Sequence, residues 1–168
     1  MLLYLDANAL VKRYVAEPGS TEIAAIVNQA ELVGSALISR AEVAAALAKA
    51  VRVGALREGG AWDALKTFRR DWPDIVRLPI SEQVVARADN LAWEYGLRGY
   101  DAIHLAAAAV WQEALRQGIV LASFDRALWT AGAQIGMRVY PADLPALLAR
   151  WKTNKPQGDE RGDQTQTR

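Results

Sequence analysis

The sequence has no cysteine and a single histidine, and this scarcity excludes several kinds of site. Without thiols the chain has no disulfide framework, no thiolate zinc site and no cysteine nucleophile. Neither sign of charge is in clear excess, because 20 Lys and Arg residues face 19 Asp and Glu residues, for a formal net charge of +1. No global basic field points to a nucleic-acid partner, so any such contact must come from a local patch.

Long hydrophobic runs are missing as well. The most apolar stretch, 102–111, is far shorter than the ~20 residues that cross a bilayer, and it contains His104. Met1 leads directly into an apolar run without a basic segment or a cleavage site, so we predict no signal peptide. Hydrophobic residues make up 52% of the 168 residues and charged residues 23%, which is ordinary for one globular domain. The sequence therefore predicts a cytoplasmic domain.

Five short strand-like runs alternate with helical patterns along the chain. They are Leu2–Leu5, Leu32–Ala36, 75–78, Ile119–Ala122 and 137–140. The first, second and fourth are nearly continuous apolar runs, as expected for strands that are covered on both faces of a parallel sheet. The alternation predicts a three-layer α/β/α domain with a mainly parallel, about five-stranded sheet. We assign this domain to residues 1–148 and expect the polar residues 149–168 to form a disordered tail.

Four acidic residues stand at places where such a sheet would bring them together. Asp6 directly follows the first strand, Glu42 lies in the first turn of the helix after the second, and Asp125 follows the fourth. Asp101 opens an apolar helix, 101–116, although no strand immediately precedes it. The carboxyl ends of parallel strands share one edge, where ligands bind. Converging carboxylates suit Mg²⁺, which prefers oxygen ligands and usually keeps several waters.

Each of these acids has an alternative role as a helix cap. Asp6, Asp101 and Asp125 precede or begin helices, where a carboxylate satisfies free N–H groups and favours the helix dipole. Glu42 stands three residues after Ser39, which is the pattern of a capping box. Capping does not exclude metal binding, since a carboxylate has two oxygens. The residues alone leave both roles open.

Four segments, in this order, resemble PIN-domain toxins of the VapC type. They are LYLDANALVKRY with EPGS (3–14 and 17–20), SRAEV (39–43), LRGYDAIHLA (97–106) and ASFDRAL (122–128). The resemblance covers about residues 1–148. It implies a metal-dependent endoribonuclease that hydrolyses RNA phosphodiester bonds with Mg²⁺ or Mn²⁺. It also implies a homodimer and inhibition by a cognate antitoxin.

The acidic positions of that family fall on acids in this chain. The resemblance implies catalytic and metal-binding roles for Asp6, Glu42, Asp101 and Asp125, with Glu42 either a ligand or the residue that orients the attacking water. Many members have Ser or Thr where this chain has Asn8, whose amide can still hold a metal-bound water or a phosphate. Ser39 is a second candidate for such a contact.

Other residues near these segments have less specific expectations. His104 lies one turn from Asp101 on the apolar helix, and we expect it to be packed or hydrogen-bonded rather than a general base. Three arginines flank the acidic segments and are candidate contacts to the RNA backbone, with solvated ion pairs as the alternative: Arg40, Arg98 and Arg126. Three aromatic residues are core by their spacing, with a seam against an antitoxin helix as the alternative: Trp62, Phe68 and Trp72.

Two other functions compete with the ribonuclease interpretation. A haloacid dehalogenase-like phosphotransferase would use Asp6 as a covalent nucleophile, but those enzymes have a second Asp two residues later, where this chain has Asn8. A non-catalytic module that binds RNA or an antitoxin would use its acids only as helix caps. Trapping of an aspartyl-phosphate would identify the former, and the lack of metal-stimulated cleavage would indicate the latter.

Overall fold

The computed structural model describes residues 1–153, in which strands and helices alternate as the sequence predicts. The strands are β1 (Leu2–Leu5), β2 (Leu32–Ala36), β3 (Val76–Leu78), β4 (Ile119–Ala122) and β5 (Arg138–Tyr140). The helices are α1 (Ala7–Tyr14), α2 (Ser20–Val27), α3 (Ser39–Arg52), α4 (Glu58–Asp71), α5 (Glu82–Tyr95), α6 (Gly99–Leu115), α7 (Arg126–Gln134) and α8 (Leu144–Thr153). A single 3₁₀ turn, Trp72–Asp74, joins α4 to β3.

All five strands are parallel, in the order β3-β2-β1-β4-β5 across the sheet. Leu2 of β1 pairs with Leu32 on one side and with Ile119 on the other. The chain builds the sheet outward from β1 to β3 and then crosses back to add β4 and β5. The reversal at β1 is the kind of switch point where parallel sheets form a binding cleft at their carboxyl ends.

Alternate residues of the central strands enter two separate cores. Leu2 and Tyr4 pack into a core with α5, α6 and α7, whereas Leu3 and Leu5 pack into a core with α1–α4 and α8. Because helices cover both faces, β1 and β4 are buried along their whole length. The predicted three-layer α/β/α domain with its parallel five-stranded sheet is therefore confirmed.

The central helix α6 packs closely against the sheet through small side chains. A run of buried alanines faces the core, and Trp111 near its C-terminal end lies over β2. A Cβ atom built on Gly34 of β2 would lie only 2.8 Å from the Trp111 ring, so this strand position needs glycine. Within residues 1–153, no helix combines the length and the apolarity that crossing a membrane requires.

The predicted end of the domain at residue 148 falls inside α8. Residues 149–153 continue this helix rather than a polar tail, because Trp151 stacks on Phe124 with ring centroids 5.6 Å apart. The rest of the expected tail, 154–168, lies outside the described residues. The division of the chain into a nuclease domain and a tail stays a prediction.

The aromatic residues of α4 and its end do not form one exposed seam. Phe68 and Trp72 are buried and contact each other with ring centroids 5.3 Å apart, so the alternative of an antitoxin seam is wrong for both. Trp62 is 53% exposed and borders a groove of about 750 Å³ between α3 and α4, which Leu47 and Leu65 also line. Trp62 therefore faces outward, although its spacing placed it in the core.

Candidate active site

A cleft of about 680 Å³ opens at the carboxyl end of the central strands. Its lining includes the four predicted acids and five other polar residues: Asp6, Glu42, Asp101, Asp125, Asn8, Glu17, Lys49, Arg98 and His104. Each acid comes from a different part of the fold, namely the end of β1, α3, α6 and the start of α7. The structure therefore brings together side chains that are up to 119 positions apart in the sequence.

Asp101 reaches the cleft although no strand immediately precedes it. It lies in the first turn of α6, and α6 leads into β4. A helix that leads into a parallel strand runs back along the sheet, so it begins at the carboxyl edge. The start of a helix before a strand is thus as good a position for a site residue as the end of a strand.

Asp6 is the most buried of the four acids, with 3% of its surface exposed. Its Oδ1 accepts the Ala9 N–H at 2.6 Å and caps α1, while its Oδ2 accepts the Ser123 hydroxyl at 2.6 Å. Burial raises the pKa of Asp6 above its ordinary value, against the lowering effects of His104 and of these two hydrogen bonds. The fold thus keeps a carboxylate where its charge is costly.

Arg98 joins the other two aspartates across the cleft. Its Nε donates to Asp101 Oδ2 at 2.8 Å, and its Nη2 donates to Asp125 Oδ2 at 2.9 Å. The hydrogen bond and charge of Asp101, followed by the charge of Asp125, raise the pKa of the guanidinium. Asp125 also caps α7 through Oδ1, so its two oxygens have separate roles.

Two of the expected helix caps do not form. Asp101 accepts a hydrogen bond from Arg98 instead of from a backbone N–H at the start of α6. The predicted capping box of Ser39 and Glu42 is wrong. Helix α3 begins at Ser39, so Ile38 holds the cap position, and no side chain caps the helix. Glu42 instead meets His104, whose Nε2 lies 2.9 Å from Glu42 Oε2.

His104 is buried and hydrogen-bonded on both sides of its ring, as predicted. Its Nδ1 lies 2.9 Å from the hydroxyl of Tyr4, which is completely buried in β1. Burial raises the pKa of Tyr4 well above its ordinary value, and the charges of Asp6 and Glu42 add to this effect. Tyr4 therefore keeps its proton at neutral pH.

The two expected phosphate or water contacts differ in their placement. Asn8 is exposed and lines the cleft. Ser39 is fully buried, and its hydroxyl lies 2.7 Å from Ser35 Oγ, which in turn donates to the Leu5 carbonyl. Ser39 is thus held below the cleft and cannot contact a phosphate without leaving this network.

The ligand atoms that the cleft offers are of the type that binds a hard divalent cation. All four acids offer carboxylate oxygens, the ligands that Mg²⁺ and Mn²⁺ prefer. Within residues 1–153, however, no three acidic or histidine side chains are close enough together to hold one ion. Arg98 donates to Oδ2 of both Asp101 and Asp125, two of the oxygens that the cleft offers. A cation that binds these same oxygens would compete with the Arg98 guanidinium for them.

The sequence interpretation missed two polar residues of the site, Tyr4 and Ser123. Tyr4 is the one polar side chain in a buried apolar strand, and a buried tyrosine hydroxyl needs a partner. Ser123 follows β4 directly and is completely buried; it donates to Asp6 and accepts the Asp125 N–H at 3.1 Å. A hydroxyl within an otherwise apolar segment was the available signal in both cases.

Comparison with known proteins identifies the family. The family model for the PIN domain matches residues 3–131, a range that includes all four cleft acids. The chain belongs to the PIN-domain family. It is 36% identical to ribonuclease VapC45 of Mycobacterium tuberculosis (strain CDC 1551 / Oshkosh) over 143 residues, which are 85% of this chain and 97% of the relative. The predicted resemblance is confirmed, and the haloacid dehalogenase-like alternative is not supported.

Solved structures share the PIN fold at low sequence identity. PAE2754 from Pyrobaculum aerophilum aligns with a TM-score of 0.57 and 23% identity over 89% of this PIN domain chain and 99% of its own. A toxin–antitoxin complex from Klebsiella pneumoniae aligns with a TM-score of 0.51 and 19% identity, over 70% of this chain and 83% of that chain. VapC-type PIN ribonucleases generally depend on a divalent metal, which agrees with the oxygen-only donor set.

Proposed function

We propose that this PIN domain is a metal-dependent endoribonuclease that hydrolyses RNA phosphodiester bonds as the cytoplasmic toxin of a toxin–antitoxin pair. The observation that carries the proposal is the convergence of Asp6, Glu42, Asp101 and Asp125 in one cleft. The VapC45 relative, whose name is that of a ribonuclease, supports RNA as the substrate class. A non-catalytic module would not need Asp101 and Glu42 in the cleft, since neither caps a helix.

In this proposal Asp6, Asp101 and Asp125 hold Mg²⁺ or Mn²⁺, and Glu42 is either a further ligand or the residue that orients the attacking water. When bound, the ion lowers the pKa of a water and neutralises charge on the phosphate. Ser123 and the Ala9 N–H keep Asp6 in one orientation. Asn8 supplies an amide at the cleft wall that can donate to a phosphate oxygen.

Arg98 would change partners during the reaction. Once it releases Asp101 and Asp125, its guanidinium remains at the mouth of the cleft, because its side chain is 77% exposed. A free guanidinium there can pair with two oxygens of the RNA backbone. The same side chain would thus neutralise the acids before the metal binds and the phosphate afterwards.

We also propose a cognate antitoxin as partner and a homodimer as the assembly. The toxin–antitoxin complex from Klebsiella pneumoniae supports the antitoxin, since it shares this fold. The homodimer rests on the family resemblance alone. Coexpression with the neighbouring gene product, followed by size-exclusion chromatography with light scattering, tests both proposals.

Variants of the cleft acids test the proposed reaction. We expect Asp6→Asn, Glu42→Gln, Asp101→Asn and Asp125→Asn each to reduce cleavage of a labelled single-stranded RNA by at least roughly 100-fold, since changes beside a metal's ligands already cost about 10- to 100-fold. The matched control is Asp89→Asn, an exposed acid on α5 outside the cleft, which should cleave at the wild-type rate. Cleavage by all four cleft variants at the control rate would rule out the proposed site.

A further inference from the structure

A chain of hydrogen bonds runs from the backbone of β2 through two buried side chains to Glu42. The Ala36 N–H donates to Tyr4 Oη at 3.2 Å, and Tyr4 Oη lies 2.9 Å from His104 Nδ1. On the opposite side of the ring, His104 Nε2 lies 2.9 Å from Glu42 Oε2. Tyr4 and His104 are 0% and 2% exposed, so their polar atoms must find partners within the protein.

The direction of these hydrogen bonds follows from the available donors. The Tyr4 oxygen accepts from Ala36, so its single hydrogen is free to point at His104 Nδ1. Nδ1 then accepts, and a neutral imidazole carries its hydrogen on Nε2, which donates to the Glu42 carboxylate. The other tautomer would place a bare Nε2 lone pair against the carboxylate and leave the Tyr4 hydrogen without an acceptor. The network therefore selects the Nε2–H tautomer.

We propose that Tyr4 and His104 are positioning residues that hold the Glu42 carboxylate for the reaction in the cleft. This inference rests on the proposed nuclease function. Within residues 1–153, His104 is the one hydrogen-bond donor to the Glu42 carboxylate, and it engages Oε2. Oε1 is left for a bound water or an ion. Tyr4 lies two residues before Asp6, so β1 positions the Asp6 carboxylate directly and the Glu42 carboxylate through His104.

We call the hydrogen-bonded series Tyr4, His104 and Glu42 the relay. The burial of the relay argues for a positioning role over a packing role. An apolar side chain would fill the space of His104 without requiring a partner at each ring nitrogen. Neither Tyr4 nor His104 is exposed enough to touch RNA, so both must act through Glu42, whose side chain is 23% exposed. Residues that orient a site residue in this way typically change activity by roughly 10- to 100-fold when they are replaced.

The first test reads the tautomer directly. His104 is the only histidine in the sequence, so ¹⁵N-labelled histidine in tag-free protein gives one unambiguous pair of ring signals. Spectra of the neutral ring, which a pH series identifies, should show the hydrogen on Nε2 and none on Nδ1 in the wild type. Tyr4→Phe should shift the Nδ1 signal, and Glu42→Gln should shift the Nε2 signal. A neutral ring that carries its hydrogen on Nδ1, or ring signals that neither variant moves, would overturn the relay.

The second test separates positioning from folding. With a fluorophore–quencher single-stranded RNA and Mn²⁺, Tyr4→Phe and His104→Leu should lower kcat by about 10- to 100-fold with KM nearly unchanged. His104→Gln, whose amide can still donate to Glu42, should recover part of the loss. Tyr95→Phe removes a hydroxyl on α5 outside the cleft and should keep the wild-type kcat. Thermal melts of all variants identify any that fail to fold, and Tyr4→Phe is the mildest of them.

The outcomes distinguish the relay from the nuclease itself. A wild-type protein that cleaves, together with a Tyr4→Phe variant of equal kcat, contradicts the relay and leaves the nuclease function standing. Equal kcat losses in His104→Gln and His104→Leu also contradict it, because the donor would then not matter. If the wild type shows no metal-dependent cleavage, the proposed function fails, and the ¹⁵N spectra still decide whether the relay exists.

Discussion

At the scale of single residues, Asp6 combines a structural role with a costly charge. Its raised pKa means that the folded protein holds the proton to a higher pH than the unfolded chain does. Between the two pKa values the folded state binds more protons, so stability falls as pH rises through that window. Near neutral pH the metal-free protein therefore bears the cost of a buried carboxylate.

We predict that Asp6→Asn stabilises the metal-free protein near neutral pH. Asparagine caps a helix about as well as aspartate, so the Ala9 contact is kept, whereas the charge and the acceptor for the Ser123 hydroxyl are removed. Burial of the charge is the largest effect on the pKa of Asp6, so we expect its removal to outweigh the lost hydrogen bond. The gain should shrink toward about pH 4, where the aspartate takes up its proton in both states. Urea unfolding in EDTA, near neutral pH and at about pH 4, measures this gain in stability, with Asp89→Asn as the control. A variant less stable than the wild type near neutral pH would show that the Asp6 carboxylate, with its Ser123 hydrogen bond, stabilises the folded protein.

Arg98 gives a second prediction at this scale, because it competes with a metal ion for two carboxylates. Arg98→Gln frees Oδ2 of Asp101 and Asp125, so the apparent affinity for Mn²⁺ should rise. Because exposed ion pairs are weak, we expect the affinity for Mn²⁺ to rise by a factor of only roughly two to five. Calorimetric titration with Mn²⁺ measures this change.

The matched control for Arg98 is Arg87→Gln. Arg87 makes a bidentate ion pair with Glu113, away from the cleft, so its removal should leave Mn²⁺ binding unchanged. Weaker Mn²⁺ binding by Arg98→Gln than by this control would mean that the guanidinium supports the metal site instead of competing for it.

At the scale of elements, the contact between α6 and β2 depends on Gly34. A Cβ there would meet the Trp111 ring at 2.8 Å, and the ring is held in the core, so the helix or the strand must move. We predict that Gly34→Ala lowers the free energy of unfolding by about 1–3 kcal/mol, the usual cost of overpacking. Thermal and urea unfolding measure the loss.

A second glycine tests whether this loss comes from packing. Gly60 lies in α4 with nothing within 4 Å of an added Cβ, so Gly60→Ala should raise stability by up to about 1 kcal/mol. The double variant Gly34→Ala/Trp111→Leu replaces the ring with a smaller side chain and should recover part of the stability that Gly34→Ala loses. If Gly34→Ala alone is neutral, α6 is packed more loosely than the distance indicates.

The order and type of the elements were predictable, whereas their contacts at the site were only partly so. Apolar runs such as Ile119–Ala122 predict buried strands because only a doubly covered sheet hides both faces. The capping box at Ser39 failed because tertiary contacts with Ser35 and His104 outweigh a local pattern. The Arg98 bridge depends on the relative placement of α6 and α7, which no short segment encodes.

At the scale of the whole molecule, the fold turns scattered acids into one cleft. The parallel sheet places the ends of β1 and β4 side by side, and the starts of α3 and α6 meet them at the same edge. The convergence could be predicted from the sequence for Asp6, Glu42 and Asp125. For Asp101 it rested on family resemblance, because the residues alone did not show that α6 begins at that edge.

The central claim is that this cleft cleaves RNA only with a divalent cation. The most direct measurement follows one sample of unaltered protein with a fluorophore–quencher single-stranded RNA, first in EDTA and then after excess Mn²⁺ is added. We predict no cleavage in EDTA and immediate cleavage after Mn²⁺, at a rate that rises to saturation with the ion. Cleavage in EDTA at the Mn²⁺ rate, or none in either condition, would contradict the account.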